Sequence, residues 1–159
     1  MSTVTAIFKL PRIGRPRVKD ALPFLFSLGG LLLTGLFVWL LGRFLPFVLP
    51  PEDFVLAKPA GVIEWAKIIV FCLLVGYWEE GFFRMYFLTV CRRAGIPKYA
   101  AVLISTLVFA LCHSYEGVPG LINAGIAGVL LSCVYLKTES YHGIAAAHAA
   151  YNVLAYVLA

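Results

Sequence analysis

The chain has 159 residues, 62% hydrophobic and 13% charged, where soluble domains run at roughly 45–50% and 25%. That excludes an ordinary water-soluble globule and leaves one domain's worth of membrane protein. Of the net charge of +5, +4 gathers ahead of the first apolar run, in Lys9, Arg12, Arg15, Arg17 and Lys19 offset by Asp20, which suits lipid headgroups and not nucleic acid, whose binders carry a basic face through the folded domain.

In chain order, residues 1–20 read as a basic cytoplasmic tail and 21–49 as an anchor helix, from about Leu22 to Leu49, closed by Pro50 and Pro51. The run is too long for a secretory signal and has no small-x-small cleavage site at its end, so it is expected to be retained. It carries no acid, histidine or amide for chemistry and can face lipid all round. Residues 50–61, with three prolines, Glu52, Asp53 and Lys58, form a polar loop.

Residues 62–159 hold four further spans. The first of them, from Val62 to about Val90, would rise roughly 43 Å, more than a bilayer core of roughly 30 Å. It is expected either to tilt or to break near Gly81. The others run from Tyr99 to His113, Val118 to Leu136 and Tyr141 to Ala159. The expected fold is all-α, a multi-pass membrane bundle of about five transmembrane helices with a four-helix catalytic core. Cys72, Cys91, Cys112 and Cys133 include no CxxC and imply neither a disulfide framework nor a zinc ribbon. With the basic tail inside the cell membrane, Arg92, Arg93, Lys98 and Lys137 all return to the cytoplasmic side, and the Ser114–Gly117 loop lies outside.

Polar residues inside these spans are few: Glu79, Glu80, Arg84, His113, Asn123, His148 and Asn152. An ionisable group in hydrocarbon costs roughly 2.5–3.5 kcal/mol on insertion scales, so each needs a partner or a wet pocket. Measured from the cytoplasmic basic residues, Glu79, His113, His148 and Asn152 fall roughly 16–23 Å deep, in one layer. Glu80 and Arg84 form an (i, i+4) pair in the acid-first order. Glu79 sits about 100° round the helix from Glu80 and is free to point elsewhere. Phe109 shares a face with His113, and His148 with Asn152. Ala124, Gly128 and Ser132, and again Ala146 and Ala150, read as small-residue ridges for close packing.

The bland readings are a structural Glu80–Arg84 salt bridge, His113 as a helix-end cap, and His148 with Asn152 as hydrogen-bond glue. Asn123 has no evident partner and reads as packing. Taken together, a carboxylate and an imidazole can deprotonate a water, and a second imidazole with a carboxamide can stabilise an oxyanion. The set therefore suits a hydrolase. GxSxG and HExxH are missing, and Asp20 and Asp53 both lie outside the expected spans, which removes serine, HExxH-zinc and aspartyl schemes. A Glu79–His113–His148 metal triad stays open on ligand type. So do a proton or ion pathway through the same residues and a non-catalytic scaffold or immunity protein.

Three segments bear a family resemblance: Glu79 to Arg84 as EExxxR, Phe109 to His113 as FxxxH and His148 to Asn152 as HxxxN, in that order. The chain resembles the CPBP family of CAAX-protease and bacteriocin-processing (Abi) glutamic intramembrane proteases over about residues 62–159. The resemblance implies Glu79 as the catalytic water-activating acid, His113 as its partner, His148 and Asn152 as the oxyanion pair, and Glu80, Arg84 and Phe109 in support. It implies no metal or other cofactor. The partners it implies are membrane lipids and a membrane-associated peptide or protein tail. The chain has fewer spans than larger relatives, so a C-terminal sorting signal or a peptide precursor is expected as substrate ahead of a prenylated tail. The oligomeric state is not legible.

Overall fold

The computed structural model describes residues 8, 9, 12–46 and 56–158, and the described residues are all helix, turn or irregular chain, with no strand. The first half of the expected 50–61 loop, including Glu52 and Asp53, the start of the basic tail and Ala159 lie outside the described residues.

A 3₁₀ turn, Val18–Asp20, leads into α1, Ala21–Phe44. The Arg17 amide donates to Asp20 Oδ2 at 2.7 Å, which ties this entry turn. The helix stops at Phe44 instead of Leu49, because Pro46 disfavours helical backbone at Leu45, which sits at φ −127°. α2, Val62–Glu80, starts after the extended Gly61, and the Glu64 carboxylate reaches back to accept the Ala60 amide at 2.6 Å.

Of the two alternatives for this long span, a tilt or a break near Gly81, the break does not occur. Gly81 keeps helical angles, and the chain widens into a π-helical stretch, Gly81–Phe87, before tightening again as α3, Leu88–Arg93. α3 ends on Gly95 at φ +76°, with the Gly95 amide bonded to the Arg92 carbonyl and the Ile96 amide to the Cys91 carbonyl. That is a glycine-dependent Schellman stop, reinforced by Pro97. α4, Lys98–Cys112, gives way at His113 to a 3₁₀ turn, Ser114–Glu116. α5, Gly117–Thr138, ends on left-handed Glu139, and α6, Tyr141–Leu158, closes the described chain.

α6 lies in the middle, packed on α1 and α2, while α4 packs on α5. Leu31 of α1 joins Ala127 and Leu131 of α5 and Ile144 of α6 in one apolar cluster, and Phe83, Phe109, Ala110 and Ala124 form another. α1 is therefore more than an anchor facing lipid all round, since Ser27, Leu31 and Val38 are buried against the bundle. Its other face, with Leu25, Phe26, Leu33 and Phe37, stays exposed, as do Leu103, Leu107 and Leu111 of α4. An apolar exterior of this kind suits lipid contact.

Val18–Phe44 and Ser114–Thr138 are long and apolar enough to cross a membrane, and α4 is a shorter apolar helix. α2 and α6 have comparable length but carry Glu64, Lys67, Glu79 and Glu80, or two histidines and Asn152. Several of these are turned inward, where they make the site described next.

Candidate active site

α2 and α6 approach closely because both present small residues at their crossing. Gly76 faces the backbone of α6, and a Cβ there would lie 2.8 Å from the Ala149 nitrogen and 3.0 Å from the Ala145 oxygen. On α6 the packed small residues are Ala145 and Ala149, both buried, and not the expected Ala146 and Ala150, which are half-exposed. The expected ridge on α5 is buried at Ala124, Gly128 and Ser132, with Gly128 against Thr106 of α4.

One turn beyond Gly76 this contact delivers the acids of α2 to His148. Glu80 and Arg84 are fully buried, with Arg84 Nη1 donating to Glu80 Oε1 at 3.0 Å. The same Glu80 oxygen lies 2.8 Å from His148 Nδ1. A carboxylate without a proton only accepts, so Nδ1 carries the hydrogen in this contact. The other ring nitrogen, Nε2, stands 3.6 Å from Glu79 Oε2. His148 thus bridges the two acids of the doublet. Glu80 is the more deeply engaged of the pair, holding both Arg84 and His148.

Phe109, 2% exposed, is the hub of the surrounding aromatic packing. The Arg84 guanidinium carbon sits 4.2 Å from its ring centre, a cation–π contact, and the His113 and His148 rings lie 4.5 and 6.0 Å away. Phe109 also supplies the acceptor that fixes His113, whose Nδ1 is 2.8 Å from the Phe109 carbonyl. A carbonyl only accepts, so neutral His113 carries its proton on Nδ1 and presents Nε2 as an acceptor. Ser105 of α4 donates to the Phe83 carbonyl at 3.1 Å and ties the π stretch to the bundle.

A cavity of about 780 Å³ opens beside this cluster, and Glu79, His113, His148 and Asn152 all line it. The four residues expected in one layer therefore meet at one cavity, while Glu80, Arg84 and Phe109 lie buried around it. Asn123, expected to lack a partner, lines the cavity and donates to the Tyr151 hydroxyl at 3.1 Å. Among the described residues no group of three or more His, Cys, Asp or Glu side chains is placed to hold a metal ion. Glu79, His113 and His148 share the cavity without forming a ready ligand set.

Two polar positions escaped the reading of the sequence. Asp20 is buried and accepts the Ser140 hydroxyl at 2.6 Å, clamping the start of α1 to the start of α6. Glu116, expected in a solvated outer loop, lines the cavity. Its place three residues after His113 was the available signal.

Residues 61–154 match the family described as type II CAAX prenyl endopeptidase Rce1-like. The chain belongs to this family. The matched stretch runs from the start of α2 into the last turns of α6 and contains all three motifs, whereas α1 lies outside it. No curated protein and no solved structure gives a significant match. As an Rce1-like protein the chain is a protease of the CAAX-endopeptidase group, and its apolar helices are those of a membrane protein.

Proposed function

We propose that this Rce1-like protein is a multi-pass glutamic intramembrane endopeptidase, with Glu79 as the general base. The observation that carries the reading is the meeting of Glu79 with His148, at 3.6 Å, in a cavity that His113 and Asn152 also line. At that separation the two groups are held close without being bonded to each other, so each keeps its capacity for a reacting atom.

Glu79 takes a proton from water, and the hydroxide attacks the amide carbon of a membrane-associated peptide or protein tail. His113 Nε2 accepts from the same water and orients it. Asn152 donates its amide hydrogens to the tetrahedral oxyanion, and His148, as an imidazolium with its Nδ1 hydrogen on Glu80, donates from Nε2. The protonated Glu79 then returns its proton to the departing amine. Glu80 and Arg84 hold His148 in place from the buried side. C-terminal sorting signals and peptide precursors are the substrate classes we favour, and the catalytic step needs no cofactor in this scheme.

Comparing membrane proteomes of cells carrying the wild-type gene or Glu79→Gln tests it. Wild-type cells are expected to release terminal segments that the Gln variant leaves attached, at equal protein levels. Equal processing by both would remove Glu79 as the base. A chelator is expected to leave hydrolysis by the purified protein intact, and loss restored by added metal would select a metal-dependent scheme.

A further inference from the structure

The cavity holds a second carboxylate that the hydrolytic scheme leaves idle. Glu116 closes the 3₁₀ turn after His113 and is half-buried at the cavity wall. Its side chain folds back over Gly120, where an added Cβ would fall 2.3 Å from Glu116 Cβ and 2.9 Å from Oε2. The bare backbone of buried Gly120 is what admits that inward course.

Phenol groups share the cavity with this acid. Tyr115 precedes it in the 3₁₀ turn, with its ring stacked on His113 at 6.2 Å between centres, and the Tyr151 hydroxyl accepts from Asn123 at 3.1 Å. Tyr115, Tyr151 and Tyr156 all line the cavity. Among the described residues lining the cavity the charged side chains are Glu79 and Glu116, with no Lys or Arg. Lys58, at this end of the bundle, donates to the Val157 carbonyl at 3.0 Å.

A carboxylate that shares a cavity with three phenols is a site for a cation. The acid supplies a charge-assisted hydrogen bond and the rings supply cation–π attraction. An anionic group of the substrate would meet repulsion there instead. The Tyr115 ring stacks on His113 at 6.2 Å, and Glu79 and Glu116 line the same cavity, so a cation held by Glu116 would sit close to the bond being cut.

Resting on the hydrolytic reading of Glu79, we propose that Glu116 is a specificity residue that selects substrates bearing a lysine or arginine side chain within a few residues of the scissile bond. The test uses apolar 20-residue peptides in lipid nanodiscs, each carrying one Arg, its neutral isostere citrulline, or Glu, moved stepwise along the sequence. Wild-type protein is expected to cleave the best Arg peptide with kcat/KM about tenfold above its citrulline twin. Glu116→Gln should bring that ratio to about one, and Glu116→Lys should turn the preference toward the Glu peptide. No charge preference in the wild type, or an unchanged ratio in Glu116→Gln, would overturn the proposal.

Affinities of the same peptides for Glu79→Gln separate the two claims. An Arg preference in binding, lost on adding Glu116→Gln, with no cleavage by the wild type, would sustain the cation site and remove the hydrolase. Cleavage without any charge preference, in rate or in binding, would do the reverse.

Discussion

Arg84 is fully buried. Its charge is held by one Glu80 oxygen at 3.0 Å and by the faces of Phe109 and Phe83, at 4.2 and 5.7 Å, and its Nε and Nη2 have no hydrogen-bond partner among the described residues. Removing one member of a buried ion pair strands the other, which costs about 3–5 kcal/mol. Glu80→Ala and Arg84→Ala should each lower stability on that scale, measured by unfolding in mixed micelles. Glu80→Leu with Arg84→Met removes both charges and should cost clearly less than the two single losses together. Arg84→Lys should not rescue, because an ammonium cannot lay a planar face on Phe109. Glu79→Gln, by contrast, leaves the pair untouched and should unfold like the wild type. The doublet thus separates into one acid that keeps the fold and one that faces the cavity.

The contact between α2 and α6 sets the geometry of that cavity, and at its tightest point there is no room for a methyl group. Gly76→Ala places a Cβ against backbone atoms of Ala145 and Ala149 at 2.8–3.1 Å, which only a shift of a whole helix relieves. The expected loss is about 1–3 kcal/mol of stability, with a fall in kcat of about 100-fold for a displacement of 1 Å. Gly29→Ala on α1, with nothing within 4 Å of its added Cβ, serves as the control and should change neither. The helices themselves were legible because long apolar runs separated by short polar turns mark them. The motif residues were legible because charge is rare in such runs. The pairing of His148 with Glu80 was not, since it depends on how far two helices are rotated about their axes. For the same reason the small-residue ridge on α6 was misplaced by one residue, from Ala145 and Ala149 to Ala146 and Ala150. Asp20 and Glu116 went unread because loops near helix ends normally solvate their acids, and only the fold turns these two inward.

Across the whole molecule the two ends differ in charge. At one end the tail meets the α5–α6 turn through Asp20 and Ser140 at 2.6 Å and through the Gly14 carbonyl and His142 Nε2 at 2.8 Å. The end of α3 joins them there through Arg92 and Glu139 at 3.1 Å. Arg12, Arg15, Arg17, Lys19, Arg93 and Lys137 belong to this end by their places in the chain. The opposite end carries the Ser114–Glu116 turn and, as scattered cations, Arg43, Lys58 and Lys67. Basic residues are retained on the cytoplasmic side of a membrane, so the tail should lie inside and Glu116 should face out. Replacing the exposed Cys112 and Cys133 by Ala gives a background in which the remaining thiols, Cys72 and Cys91, are buried. In intact cells a membrane-impermeant maleimide should then label Tyr115→Cys at once and Arg15→Cys only after lysis. The opposite pattern would invert the molecule and put the mouth of the cavity, with any substrate it takes, on the cytoplasmic side.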